Sequence, residues 1–247
     1  MALQTLIEKI IFRPVSLPDD YKFKFEVPFE ELNFSPEPGA SINALYFECQ
    51  QALGTMYYFH GNKDNLARWG KIASELLRFN YNVVVMDYRG YGKSKGTRTE
   101  TNLFEDALFC YQAMEQRLNS KNVVVYGRSL GTGIAAWLAS KIQPQGLVLE
   151  TPYFDMHDLI GHYLPPLFYR NQLNFKLSSH LYLNKSSFPI HIFHGTNDEV
   201  VPFKSGKKLF DSIHNPNKQL TVIPGGKHNN LSNFDAYWQH LEQFLKR

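Results

Sequence analysis

A serine with glycine two residues away on each side, Gly127-Arg128-Ser129-Leu130-Gly131, follows the apolar run Val123-Val124-Val125-Tyr126. It precedes a small-residue helical pattern, Thr132-Gly133-Ile134-Ala135-Ala136-Trp137-Leu138-Ala139. G-x-S-x-G at a strand-to-helix junction is a nucleophile elbow: the turn is too tight for larger neighbours, and the hydroxyl projects from the strand end over the helix N-terminus. A serine hydroxyl is a weak nucleophile, so it needs a base, and the base needs an orienting carboxylate. Two downstream loops offer both. His194-Gly195-Thr196-Asn197-Asp198-Glu199-Val200-Val201-Pro202 holds the candidate acid, Asp198. Glu199 is the alternative, and Asp198 is preferred because Val200-Val201 turns the chain back into packing. Pro224-Gly225-Gly226-Lys227-His228-Asn229-Asn230 follows the last strand and holds the candidate base, His228. Both loops leave C-terminal strand ends, the edge where open α/β sheets place their sites.

Acyl transfer also needs two N–H groups aimed at the developing oxyanion. One is expected from Leu130, after the serine, and the other from Asn62 in Phe59-His60-Gly61-Asn62-Lys63-Asp64-Asn65. The competing role for Asn62 is to cap the helix that follows. His60 and His194 both precede glycine at strand ends and read as structural hydrogen-bonders. His157, His162, His180, His214 and His240 have no motif and read as surface or cap residues. No H-E-x-x-H, C-x-x-C or carboxylate cluster is present, so no metal and no other cofactor is expected. Gly90-Tyr91-Gly92-Lys93-Ser94 lacks the first glycine of a P-loop and reads as a tight turn beneath the site.

Short β-rich runs alternate with helical patterns, implying βαβ units and a mainly parallel sheet. Strands are expected at Tyr21–Val27 and Ile42–Cys49 (an antiparallel pair through Pro36-Glu37-Pro38-Gly39), then at Thr55–His60, Asn82–Asp87, Val123–Tyr126, Gly146–Glu150, Pro189–His194 and Gln219–Ile223. Helices are expected at Ala67–Phe79, Asn102–Leu118 (with Asn102 as N-cap and Glu105 completing a capping box), Thr132–Ala139, Phe203–His214 and Phe234–Leu245. Thr151–Phe188, rich in aromatics and proline (Tyr153, Phe154, Tyr163, Pro165, Pro166, Phe168, Tyr169), is expected to form short helices overhanging the site as a small cap. With no repeat or linker in its 247 residues, the chain reads as a single domain, 1–247, with residues 1–20 as an N-terminal arm.

The composition, 43% hydrophobic and 20% charged, is that of a globular protein, and aromatics at 15% suit an aromatic core or an apolar pocket. The net charge of +3 comes without a basic block, which gives no case for a nucleic-acid footprint, and no nucleic-acid partner is expected. Cys49 and Cys110, the two cysteines, cannot make a disulfide framework and read as buried thiols. No run approaches the ~18 apolar residues of a membrane span, and no signal-peptide cleavage pattern is present. A cytoplasmic protein is therefore expected. Leu3, Leu6, Ile7, Ile10 and Ile11 share one helical face, expected to pack on the chain's own domain. Contact of residues 3–11 with a membrane surface or a partner is the second reading. Neither is expected to bear on the chemistry.

Tyr58-Phe59-His60-Gly61-Asn62, Asp87-Tyr88-Arg89-Gly90-Tyr91-Gly92-Lys93-Ser94, the elbow, Gly195–Pro202 and Gly226-Lys227-His228-Asn229 occur in the order of one family. From Tyr21 to the C-terminus the chain resembles the compact, nearly lidless α/β-hydrolase-domain serine hydrolases, a branch that includes protein depalmitoylases. The resemblance implies an α/β-hydrolase fold, with an eight-stranded, mainly parallel sheet and helices on both faces. It also implies a triad of Ser129, Asp198 and His228. Relatives commonly have a small residue near Lys63-Asp64, and many carry an N-terminal membrane anchor or a lipidated cysteine cluster not found here. The expected activity is hydrolysis of carboxylic esters with short or medium acyl chains through an acyl-enzyme. The alternatives are an acyl-protein thioesterase of the depalmitoylase kind and a non-catalytic binding protein on a hydrolase fold. The expected partner is a small ester or thioester. A peptidase is disfavoured, because no acidic pair or second domain is present to bind a peptide amine.

Overall fold

The valine-rich runs pair side by side in the interior. The computed structural model describes residues 2–166, 169 and 173–246, with side chains from residue 7 onward. Eight strands form one sheet: β1 Glu30–Phe34, β2 Ile42–Phe47, β3 Gly54–Phe59, β4 Tyr81–Met86, β5 Val123–Arg128, β6 Gly146–Glu150, β7 Ile190–Gly195 and β8 Lys218–Ile223. Their spatial order is β8-β7-β6-β5-β3-β4-β2-β1. The strands are parallel from β8 to β4, and only β2 and β1 run antiparallel to their neighbours. Every residue of β2, β3, β6 and β7 is buried, as expected for strands covered on both faces.

The helices are α1 Ala2–Ile11, α2 Leu66–Ser74, α3 Glu100–Leu118, α4 Gly131–Ile142, α5 Met156–Gly161, α6 Ser179–Leu183, α7 Phe203–Ser212 and α8 Asp235–Leu245. On one face of the sheet α2 and α8 bury Leu66, Trp69, Tyr237 and Leu241. On the other, α3, α4 and α7 bury Leu103, Phe104, Ile134, Leu138 and Leu209. Between these two layers the inner parallel strands are buried, and the C-terminal ends of the parallel strands emerge together at one edge.

Four expectations need correction. Tyr21–Val27 is not a strand; β1 takes its place beside β2. The alternating aromatics of that segment instead pack onto the sheet face, with Phe23 stacked 6.1 Å from Phe25 and Phe25 edge-on to Phe47 at 5.4 Å. Period-two alternation marks a surface that faces the core every second residue, whether or not its backbone joins a ladder. Asn102 is not the cap of α3. Thr99 is, accepting the Asn102 N–H at 3.1 Å, and Glu100 turns away to accept the Lys176 and Leu177 N–H groups of the cap segment. The helix expected over 67–79 breaks after Ser74 into a 3-10 turn, Glu75–Phe79, closed by Asn80 in the left-handed region at φ +58°. Cys110 is buried, but Cys49 is only half-buried beyond the end of β2.

In the cap segment α5 overhangs the C-terminal edge, whereas α6 packs against α4. Phe168 lies outside the described residues. The arm packs on the chain's own domain, as its apolar face leads one to expect. Ile7 and Ile11 of α1 are buried in the core, and Arg13–Pro14 pairs in parallel with Lys63–Asp64. Ile10, on the same apolar stripe, is 55% exposed. The side chains of Leu3 and Leu6 are outside the description. No described helix is long and apolar enough to cross a membrane.

Candidate active site

The elbow is held in a conformation that most side chains avoid. Ser129 has φ +52°, a left-handed value that costs a non-glycine residue about 1–3 kcal/mol unless its surroundings enforce it. Here they do. Its N–H donates to the Glu150 carbonyl at 2.9 Å, and its carbonyl accepts the Thr132 N–H at 2.9 Å and the Thr132 hydroxyl at 2.6 Å. The flanking glycines serve close approach: a Cβ on Gly131 would lie 2.1 Å from the Phe59 carbonyl oxygen, so only glycine lets α4 start against the end of β3.

Three loops then converge. His228 Nε2 lies 2.9 Å from Ser129 Oγ, and His228 Nδ1 lies 2.9 Å from Asp198 Oδ2. Ser129, Asp198 and His228 are all under a tenth exposed. The other carboxylate oxygen of Asp198 accepts the Val200 and Val201 N–H groups at 2.9 and 2.8 Å, so the Val200-Val201 turn fixes the acid. Burial pushes the Asp198 carboxyl up. Hydrogen bonds from His194 and His228, with the Val201 N–H, outweigh it and hold the group well below the usual carboxylate range. The acid therefore stays ionised beside the imidazole. Glu199 is exposed and does not bond to His228; it lines the cavity described below. His194 donates from Nε2 to the Val201 carbonyl at 2.9 Å and sits 3.5 Å from Asp198, buttressing the acid.

Asn62, Leu130 and Ser129 line one cavity. Leu130 occupies the N-cap position of α4, where the N–H falls outside the intrahelical ladder. Asn62 is not a helix cap; Asn65 has that role, accepting the Ala67 N–H at 2.9 Å. The peptide joining Gly61 to Asn62 is held by His60, whose Nδ1 donates to the Gly61 carbonyl at 2.7 Å. The other ring nitrogen of His60 is 3.2 Å from Asp87 Oδ1, with both side chains fully buried. The glycine turn after β4 completes the support. The Tyr88 hydroxyl donates to the His60 carbonyl and the Tyr91 hydroxyl to the Asn62 carbonyl, each at 2.8 Å. Gly92 has φ +51°, and a Cβ there would lie 2.0 Å from Asp87 Oδ2.

The cavity over Ser129 has a volume of about 280 Å³. Its walls are apolar: Ile10 and Ile11 from α1, Met156, Leu159 and Ile160 from α5, and Leu130, Tyr153, Val200 and Val201. Tyr163 bridges cap and acid loop, its hydroxyl 2.8 and 2.7 Å from the Glu199 and Val200 carbonyls. Arg13 and Glu199 are the charged lining residues. The participation of α1 and Arg13 is what sequence reasoning missed. The apolar stripe of α1 was legible, but its docking place was not. No group of side chains suited to hold a metal occurs among the described residues.

A buried hydroxyl bonded to an imidazole that is bonded to an ionised carboxylate can deliver a nucleophile without accumulating a free alkoxide. The sequence pattern of the serine aminopeptidase S33 family matches residues 50–181 and 180–235. The chain belongs to this family, and it is an α/β hydrolase. Human alpha/beta hydrolase domain-containing protein 17B is 30% identical over 218 residues, covering 85% of this chain and 72% of that one. Lysophosphatidylserine lipase ABHD12 of Danio rerio is 34% identical over 185 residues, 66% of this chain and 48% of its own, so the hydrolase spans about half the length of that relative. Among solved structures, the Pyrococcus furiosus esterase Pf2001 superposes with a TM-score of 0.74 at 20% identity, covering 96% of this chain and 98% of that one. A soluble variant of the Saccharomyces cerevisiae monoglyceride lipase gives 0.71 at 18% identity, with 93% and 97% covered. At such identities the superpositions establish the fold, that of an α/β hydrolase.

Proposed function

We propose that this hydrolase is a serine esterase that cleaves carboxylic esters of short or medium acyl chains through an acyl-enzyme. The observation that carries the proposal is the unbroken chain of 2.9 Å contacts from Asp198 through His228 to Ser129 at the floor of an apolar cavity. His228 takes the proton from Ser129 Oγ as the oxygen attacks the ester carbonyl. The tetrahedral oxyanion receives the N–H groups of Leu130 and Asn62, of which one donor contributes about 10²–10³ in rate. The leaving oxygen departs with the proton held on His228, and the acyl group stays on Ser129. His228 then deprotonates water, which attacks the acyl carbonyl and returns the serine. Asp198, ionised throughout, stabilises the imidazolium.

The acyl group lies along Ile11, Met156 and Ile160. A volume of about 280 Å³ is at the small end of ligand pockets and supports short or medium chains. The family description names an aminopeptidase, and the zebrafish relative is named for a lysophosphatidylserine lipase. An aminopeptidase needs groups to bind a free α-amine. The cavity offers one carboxylate, Glu199, with Arg13 also in the lining. The ester reading is therefore favoured.

The test is turnover of p-nitrophenyl esters of increasing chain length, run beside an acyl thioester and an aminoacyl p-nitroanilide, with fluorophosphonate labelling of the intact protein. Ester turnover that peaks at short or medium chains, together with labelling lost in Ser129→Ala, supports the proposal. Preferred cleavage of the anilide would replace it with a peptidase, and preferred cleavage of the thioester with a thioesterase. Absence of labelling and of all turnover would leave a binding protein.

A further inference from the structure

Beneath the elbow lies a charged pair that the proposed triad does not use. Arg128, the residue before Ser129, places Nε 3.2 Å from Glu150 Oε1, with the two side chains 8% and 4% exposed. Glu150 Oε2 accepts the Tyr126 hydroxyl at 2.6 Å and the Tyr237 hydroxyl at 3.2 Å. The guanidinium carbon sits 5.4 Å from the centre of the Trp69 ring. Burial pushes the Arg128 guanidinium down, but the Glu150 charge outweighs it and keeps the group protonated. Both ends of the pair reach the reacting groups. The Glu150 carbonyl receives the Ser129 N–H, and Arg128 Nη2 donates to Asn229 Oδ1 at 3.4 Å, on the residue after His228.

A buried ion pair adds little net stability compared with well-packed apolar side chains, so stability alone does not account for it. Its placement does. Toward the acid, the histidine loop is tied by two backbone pairs, Asn197 N–H to the Gly226 carbonyl at 2.9 Å and Thr196 N–H to the Ile223 carbonyl at 3.1 Å, and by the Gly225 N–H to the Thr196 hydroxyl at 2.9 Å. Toward the serine there is no backbone tie among the described residues. Apart from the Ser129–His228 contact itself, the hydrogen bond joining elbow and histidine loop among the described residues is that from Arg128 to Asn229.

We infer that Arg128, held in place by Glu150, is a positioning residue that tethers the histidine loop to the elbow and so sets the Ser129–His228 distance. This rests on the roles proposed above for Ser129 and His228. Arg128 acts through Asn229 and does not touch substrate. The arginine fork is matched to the task, since one edge meets the carboxylate while another nitrogen remains for the amide oxygen. A cavity of about 140 Å³ lined by Arg128, Glu150, Asn229 and Trp238 adjoins the tether and gives a small cation a place to bind when the arginine is truncated.

The experiment compares ester kinetics, fluorophosphonate inactivation rates and thermal midpoints of the full chain with those of Asn229→Ala, Arg128→Ala, Arg128→Lys and a control, Ser232→Ala, that lines the same cavity. Arg128→Ala is expected to lose about 10²-fold in kcat with KM little changed, the scale of an ångström-sized misplacement. Added guanidinium at non-denaturing concentration should recover part of that loss where urea does not, and lysine should recover less than arginine. Asn229→Ala, at an exposed position, should lose about tenfold in kcat with an unchanged thermal midpoint, a fraction of the same misplacement. Ser232→Ala should match the wild type. The tether is overturned if Asn229→Ala keeps full kcat, or if folded Arg128→Ala gains nothing from guanidinium. Should Arg128→Ala fail to fold, Asn229→Ala decides alone. A wild type that resists the fluorophosphonate overturns the serine-esterase reading instead, so the two failures are distinguishable.

Discussion

His228 meets Asp198 at 2.9 Å and His60 meets Asp87 at 3.2 Å, both at the C-terminal edge of the sheet, yet the two imidazoles face different partners. The second nitrogen of His228 points at the Ser129 hydroxyl, whereas that of His60 is committed to the Gly61 carbonyl. His60 and Asp87 are fully buried, while the His228 side chain retains 11% exposure. The carboxylates differ too. Asp198 is held below the usual range by two histidines and a backbone N–H. Burial pushes Asp87 up, against the pull of His60 and the Leu66 N–H, and burial prevails. The same two residue types thus present an imidazole nitrogen to a serine hydroxyl in one place, and clamp a backbone carbonyl in the other.

Four sets of substitutions can break that contrast. The largest effect is expected at the Ser129–His228 contact: Ser129→Ala and His228→Ala should each lower kcat by about 10⁶-fold and should not add when combined, because they act as a unit. Equal losses at His60 would erase the distinction. Next, Asp198→Asn should cost about 10⁴-fold in kcat by offering the wrong tautomer partner. The same variant tests stability. A carboxyl lowered by folding contributes stability that is full above its unfolded value of about 4 and is lost as pH falls toward the folded value. Thermal melts between pH 2 and 7 should therefore show a shallower acid decline for Asp198→Asn than for the wild type; parallel curves would contradict the lowered carboxyl.

At the clamp, His60→Ala should lower kcat by about 10²–10³, the worth of one oxyanion donor. It should also destabilise the fold by about 3–5 kcal/mol, because it leaves Asp87 buried without its partner. Full activity in the folded variant would show that the Asn62 N–H needs no clamp. The smallest effect is expected at Glu199→Gln, beside the acid but without a bond to His228. Kinetics within twofold and stability within about 0.5 kcal/mol are predicted, and a loss approaching that of Asp198→Asn would reassign the acid.

Ser129, Asp198 and His228 were legible because each sits in a short loop after an apolar strand, with glycine or turn residues marking the place. The clamp was legible only in outline. His60 reads as structural, but its pairing with Asp87 joins residues from two strands that are adjacent in space and not in sequence. Tyr21–Val27 misled because aromatic alternation records burial of one side, and an edge ladder and an aromatic layer share that pattern. Asn102 misled because Thr99, three residues earlier, is an equally good cap once Glu100 is taken by the cap segment.

What the amino-acid sequence determined by itself is the succession of strand–turn–helix units and the serine, acid and histidine their loops carry. Periodicity and turn chemistry act over a few residues and need no distant partner. What only the tertiary structure decided is where α1 docks, which residues wall the cavity, and that Arg128 meets both Glu150 and Asn229. Those depend on contacts across wide gaps in the chain: Arg128 to Asn229 spans 101 residues, and Asn62 to Ile10 spans 52. Contacts of that reach are set by packing of the whole sheet, which no local pattern encodes.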